Sequence, residues 1–77
     1  MIDNSRAVLE NGKEYRVIDR IEHGNTAYIY LADINNPQDF CARKEIEENN
    51  ETFLVGLDNK EEADLALKIL VEKHQNN

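Results

Sequence analysis

Thr26-Ala27-Tyr28-Ile29-Tyr30-Leu31-Ala32 is the stretch on which the fold turns. Side chains of a strand alternate between its two faces, so Ala27, Ile29 and Leu31 fall on one side and Tyr28 and Tyr30 on the other. Both sets are apolar enough to be covered, which marks a central strand. The aliphatic set is expected to pack on a helix, leaving the tyrosines on the opposite face.

Turn signals surround this strand at regular intervals. Asn11-Gly12 reads as a two-residue hairpin turn, since both residues accept positive φ. Glu10 and Lys13 would then face each other as an opposite-charge pair. His23-Gly24-Asn25, Asn35-Asn36-Pro37 and Asn49-Asn50 are further turns. Between them lie strand-like runs at 7–9, 15–21, 26–34, 40–46 and 52–57. Links this short suit consecutive hairpins rather than crossovers. In the last run Phe53, Val55 and Leu57 share one side.

A helix follows. Asp58 with Glu61 three residues on reads as a capping box, and Glu62 and Asp64 add negative charge where the helix dipole favours it. The helix is expected over about 59–74, with 75–77 frayed. Ala63, Ala66, Leu67, Leu70 and Val71 form one stripe, and Leu65 and Ile69 lie outside it. Either the sheet curls around the helix, or Leu65 and Ile69 meet a second chain, most simply in a twofold homodimer. The fold expected is α+β: one domain over 1–77, a four- or five-stranded antiparallel meander with one C-terminal helix packed on a face.

Composition bounds the function. The chain has 77 residues and a net charge of −7, and a domain of this size buries only about 60% of its unfolded surface. Residues 45–64 hold eight acids and one base, so that stretch alone carries the whole net charge. Such a localised field repels nucleic acid and attracts basic partners. Glu47, Glu48, Glu51, Glu61, Glu62 and Asp64 are its candidate contact residues, whether as a solvated cap and hairpin tip or as a surface that stands in for phosphates. The same excess opposes direct nucleic-acid binding, for which Arg16 and Arg20, sharing a strand face with Ile18, offer a modest basic stripe. No apolar run reaches membrane-spanning length, the N-terminus has no signal-peptide character, and a cytoplasmic address is expected.

Catalytic and metal signals are weak. The acids at 47–51 lack the ladder and central glycine of a calcium loop, and His23 and His74 are far apart. Cys41 is the single cysteine. Arg43 shares its face, which would lower the thiol pKa if the two were close, but a packing role in the sheet is the commoner one. No phosphate loop or nucleophile elbow is present. No enzyme activity, cofactor or metal is expected.

The hairpin Asn11-Gly12-Lys13-Glu14-Tyr15, the strand Tyr28-Ile29-Tyr30-Leu31 and the passage Phe53-Leu54-Val55-Gly56-Leu57-Asp58-Asn59-Lys60-Glu61-Glu62 together resemble a family of short, acidic proteins of Gram-positive bacteria, a domain of unknown function. In size and charge the chain also resembles small accessory proteins of phages and other mobile elements, among which acidic nuclease inhibitors occur. Neither resemblance supplies catalytic residues. The reading is a non-catalytic protein-binding module, with Tyr28, Tyr30, Leu65 and Ile69 as apolar contacts. The alternative is an acidic nucleic-acid mimic that inhibits a protein with a basic groove.

Overall fold

The computed structural model describes residues 6–75. Of the fraying expected over 75–77, Gln75 is instead the last residue of the helix, and 76–77 lie outside the described residues. Five strands, β1 (Arg6–Val8), β2 (Glu14–His23), β3 (Thr26–Asp33), β4 (Phe40–Glu48) and β5 (Glu51–Val55), precede one helix, α1 (Lys60–Gln75). The strands lie side by side in chain order, every pair antiparallel. The fold is an α+β meander with the helix on one face.

That face is the tyrosine face, which corrects the sequence expectation. Tyr28 and Tyr30 are buried with Ala66 and Ile69 of α1, and Ile21, Ala42, Leu57 and Leu70 pack around them. A buried tyrosine hydroxyl needs a polar partner, and the helix supplies both. Tyr30 Oη donates to the Ala66 carbonyl at 2.6 Å and Tyr28 Oη to Glu62 at 3.2 Å. Ala66 is fully buried over Tyr30, and its small side chain lets the helix backbone come that close.

The aliphatic face needs no helix because the sheet closes upon itself there. Ala7, Leu9, Tyr15, Ile29 and Leu31 form a second core, with Val17, Cys41 and Leu54 packed against it. Glu10, just after β1, reaches Arg43 of β4 at 3.4 Å. In a flat sheet those strands would stand about 14 Å apart, three spacings of nearly 5 Å, so the sheet is strongly curled. It curls around its own aliphatic side and not around the helix.

Two register features depart from expectation. The first hairpin has a three-residue turn. Leu9 N–H donates to the Lys13 carbonyl at 3.1 Å and Gly12 N–H to that of Leu9 at 2.9 Å, with Gly12 at φ +79. A two-residue turn would have set Ala7 against Arg16, whereas the observed register sets it against Tyr15. Burial of the aliphatic face therefore selects the turn. Glu10 becomes a turn residue and pairs with Arg43, not with Lys13. The second feature is a bulge in β2 between Val17 and Asp19. It leaves Ile18 exposed and reverses the alternation, so Arg16 lies opposite Ala32 and Arg20 opposite Ile29. The two arginines end on different faces, and the basic stripe does not form.

Candidate functional site

The start of α1 gives two of the acids in the stretch, Asp58 and Glu62, a structural role. Asn59, one residue later than expected, caps the helix through its Oδ1, which accepts the Glu62 N–H at 2.9 Å. Glu62 in turn accepts the Asp58 N–H at 2.7 Å. Lys44 of β4 donates to Asp58 at 2.9 Å and lies 3.2 Å from Glu62. The Asp58 N–H foremost, helped by Lys44, holds the Glu62 carboxyl below its usual range against the opposing effect of burial. The hydrogen bond to Asp58 raises Lys44. Burial, reinforced by the adjacent Glu62 charge, pushes the Tyr28 hydroxyl up, so it stays a proton donor. Glu62 is thus a structural residue joining α1 to β3 and β4.

At the other end of α1, Lys73 and His74 lie 2.8 and 3.1 Å from Asp19 of β2. Burial alone would raise the Asp19 carboxyl, but hydrogen bonds from Lys73, the Arg20 N–H and His74 outweigh it and hold it down. Glu45, also in the acidic stretch, makes a two-point pair with Arg20 at 2.9 and 3.2 Å. The remaining acids separate into two groups. Glu47, Glu48 and Glu51 are exposed at the β4–β5 turn, where Asn49 and Asn50 both have positive φ. Glu61 and Asp64 are exposed on the first turns of the helix. The five-residue length of β5 lies between the groups. None of Glu47, Glu48 or Glu51 forms an ion pair with a described residue.

Of the apolar candidates, Tyr28, Tyr30 and Ile69 are buried inside the protein, at 3%, 0% and 8% exposure. They are corrected from contact residues to core residues. Leu65 remains exposed. The helix face that meets the sheet runs through Glu62, Ala66, Ile69 and Lys73, spaced four, three and four residues. Its charged ends concealed it from a count of apolar residues alone. Leu67 and Val71, expected inside, are consequently exposed at 53% and 46%.

This rotation opens a groove that sequence reasoning missed. An apolar depression of about 370 Å³ runs between α1 and β4, with Tyr30 and Ala42 among its walls and Phe40, Leu57, Ala63 and Leu67 around them. Phe40 is 41% exposed and stacks on Tyr30 with ring centroids 6.3 Å apart. Among the lining residues the only charge is that of Arg43. The only sequence signal for the groove was the run of Leu65, Leu67 and Val71, more apolar residues than one helix face can bury.

Cys41 also lines the groove. Its register partner is Leu31 and that of Arg43 is Ile29, so thiol and guanidinium do share a face. Burial nevertheless pushes the thiol up, outweighing the influence of Arg43. That direction is opposite to the one a nucleophile needs. Among the described residues no group of three or more His, Cys, Asp or Glu side chains is placed to hold a metal ion, and no helix is long and apolar enough to cross a membrane.

The sequence matches no protein-family model and no curated protein, and the fold matches no solved structure. The site must be read from its own chemistry.

Proposed function

We propose that this protein is a non-catalytic binding module that receives a polypeptide segment in the groove between α1 and β4. The observation that carries this reading is the groove itself: an apolar floor backed by a buried tyrosine, bordered by exposed Phe40 and Leu67. An exposed aromatic beside a concave apolar surface is the usual anchor of a protein interface. The Cys41 thiol, raised by burial, offers no activated nucleophile at the site. The test is affinity capture with Leu67→Glu beside the unaltered protein, at low and at moderate salt. Binding through the groove survives moderate salt and is lost in the variant. Retention by Leu67→Glu of everything the unaltered protein captures would refute the groove as the binding site.

A second reading has its own support in Glu47, Glu48 and Glu51, three exposed carboxylates at one hairpin tip without cationic partners among the described residues. They suit a phosphate-mimicking surface directed at a basic groove. Here the expected signature is a partner released as salt rises and lost when the three are reversed to lysine. Unchanged binding by that triple variant rules the reading out.

A further inference from the structure

The groove lies beside an open sheet edge. β5 pairs with Lys44 to Glu48 of β4, the last pair being Lys44 with Val55. Among the described residues no strand pairs with the edge of β4 from Phe40 to Arg43 on that side. The β4–β5 turn tells which backbone groups are left over. Glu48 and Glu51 close a two-residue turn, and the closing pair of such a hairpin exchanges both its hydrogen bonds. Alternation then directs the backbone groups of Glu48, Ile46 and Lys44 towards β5, and those of Ala42 and Phe40 towards the open edge. The Ala42 carbonyl fits this placement, since it is met there by a side chain, Arg43 Nη1 at 3.2 Å. Unpaired edges of this kind are templates for strand addition.

The segment that best completes this edge is the segment itself. In a twofold antiparallel pairing centred on Cys41, Phe40 of one copy stands opposite Ala42 of the other, and each exchanges two backbone hydrogen bonds. Phe40 and Ala42 lie opposite Ala32 and Tyr30, on the sheet face that carries the helix. The incoming Phe40 ring therefore arrives beside Ala42, where Tyr30, Leu57, Ala63 and Leu67 line the groove. On the other face Asp39 of one copy comes opposite Arg43 of the other, an opposite-charge cross-strand pair. Arg43 gives up the Ala42 carbonyl to an incoming N–H and adds the partner copy's Asp39 to the Glu10 carboxylate it already holds at 3.4 Å. Moving the centre to Ala42 would set Phe40 against Lys44, whose edge Val55 already occupies. Moving it to Phe40 would lose the Ala42 pairing and the charge match.

We propose that this chain forms a twofold dimer in which residues 39–43 of β4 pair antiparallel across the axis and each Phe40 fills the groove of the other copy. This rests on the groove being a polypeptide-binding site and names its occupant. It replaces the homodimer expected through Leu65 and Ile69, since Ile69 is buried within one copy.

The test is sedimentation equilibrium in reducing buffer, from micromolar to millimolar concentration, of the unaltered chain and three variants, each first verified as folded by its thermal transition. The expected result is a monomer–dimer equilibrium whose dissociation constant rises about tenfold or more in Phe40→Asp. Asp39→Arg alone weakens it, and Asp39→Arg with Arg43→Asp restores it. The restoration carries the test if Phe40→Asp fails to fold. Cys41 provides a separate readout, because opposed residues of a non-hydrogen-bonded pair have Cα atoms about 4.5 Å apart, within disulfide reach. Diamide should link the unaltered chain through Cys41 and link the Phe40→Asp chain far more slowly. A chain that stays monomeric throughout, or a dimer indifferent to both Phe40→Asp and the charge reversals, overturns the proposal. If that monomer still captures another protein in a Leu67-dependent way, the groove reading stands and only the second copy is wrong as its occupant.

Discussion

Replacing Tyr30 by Phe removes one oxygen and nothing else from the centre of the tyrosine-side core. The ring keeps its contacts with Ala66 and its stack on Phe40, so no cavity term enters. What disappears is the 2.6 Å hydrogen bond from Tyr30 Oη to the Ala66 carbonyl. Such a bond contributes about 1 kcal/mol net. The Ala66 carbonyl lies within α1, where the helix ladder can still satisfy it, so the larger penalty for an orphaned buried group does not apply. For a domain of 77 residues, about 1 kcal/mol lowers Tm by about 4–8 °C. The assay is a urea titration with a thermal melt. The midpoint should fall while the slope stays unchanged, because the surface exposed on unfolding is the same. A helix docked on the aliphatic face would leave Tyr30 in water, and Tyr30→Phe would then be neutral or slightly stabilising. That outcome would refute the placement of α1.

Other perturbations separate the remaining contacts. Asn59→Ala removes the helix cap and should cost about 1 kcal/mol, whereas Asp58→Ala, the cap expected from sequence, should cost less, as read in paired urea titrations. Gly12→Ala places a side chain at φ +79 and should destabilise by about 1 kcal/mol, although open space surrounds the site; an unchanged denaturation midpoint would argue for a different turn. The folded state holds Asp19 below its ordinary value of 3.8, so its stabilisation is fully present above that pH and is lost as pH falls below it and through the lower folded-state value. Asp19→Asn should therefore lower Tm at neutral pH, with the gap to the unaltered protein closing below about pH 4; a gap independent of pH would exclude the carboxylate as its cause. Cys41 should alkylate more slowly at neutral pH than a free thiol, and rapid labelling would contradict its burial.

The architecture was legible because turns and strand alternation are local properties. Asn49-Asn50, Gly24-Asn25 and the Tyr28–Leu31 alternation each announce themselves within a few residues. The choice of helix-bearing face was not legible, since β3 is apolar on both sides. What decided it was a long-range satisfaction of polar atoms: two tyrosine hydroxyls that found Glu62 and the Ala66 carbonyl more than thirty residues away. The β2 bulge at Ile18 was equally hidden, having no glycine or proline to mark it, and it moved Arg20 to the other face. The groove followed from both, because rotating α1 to meet the tyrosines is what left Leu67 outside beside Phe40.

Strand order that equals chain order also governs how the molecule assembles. Each strand meets its partner across a short loop, so pairing from β1 to β5 costs little closure entropy and should be rapid. The aliphatic core, drawn from β1 to β5 alone, is complete in a chain that has not yet gained its helix. The tyrosine face has no such independence. On a ribosome, Tyr28 and Tyr30 would wait on a finished sheet until residues 60–75 emerged to cover them. For that interval the most adhesive surface of the protein is the one its mature form conceals.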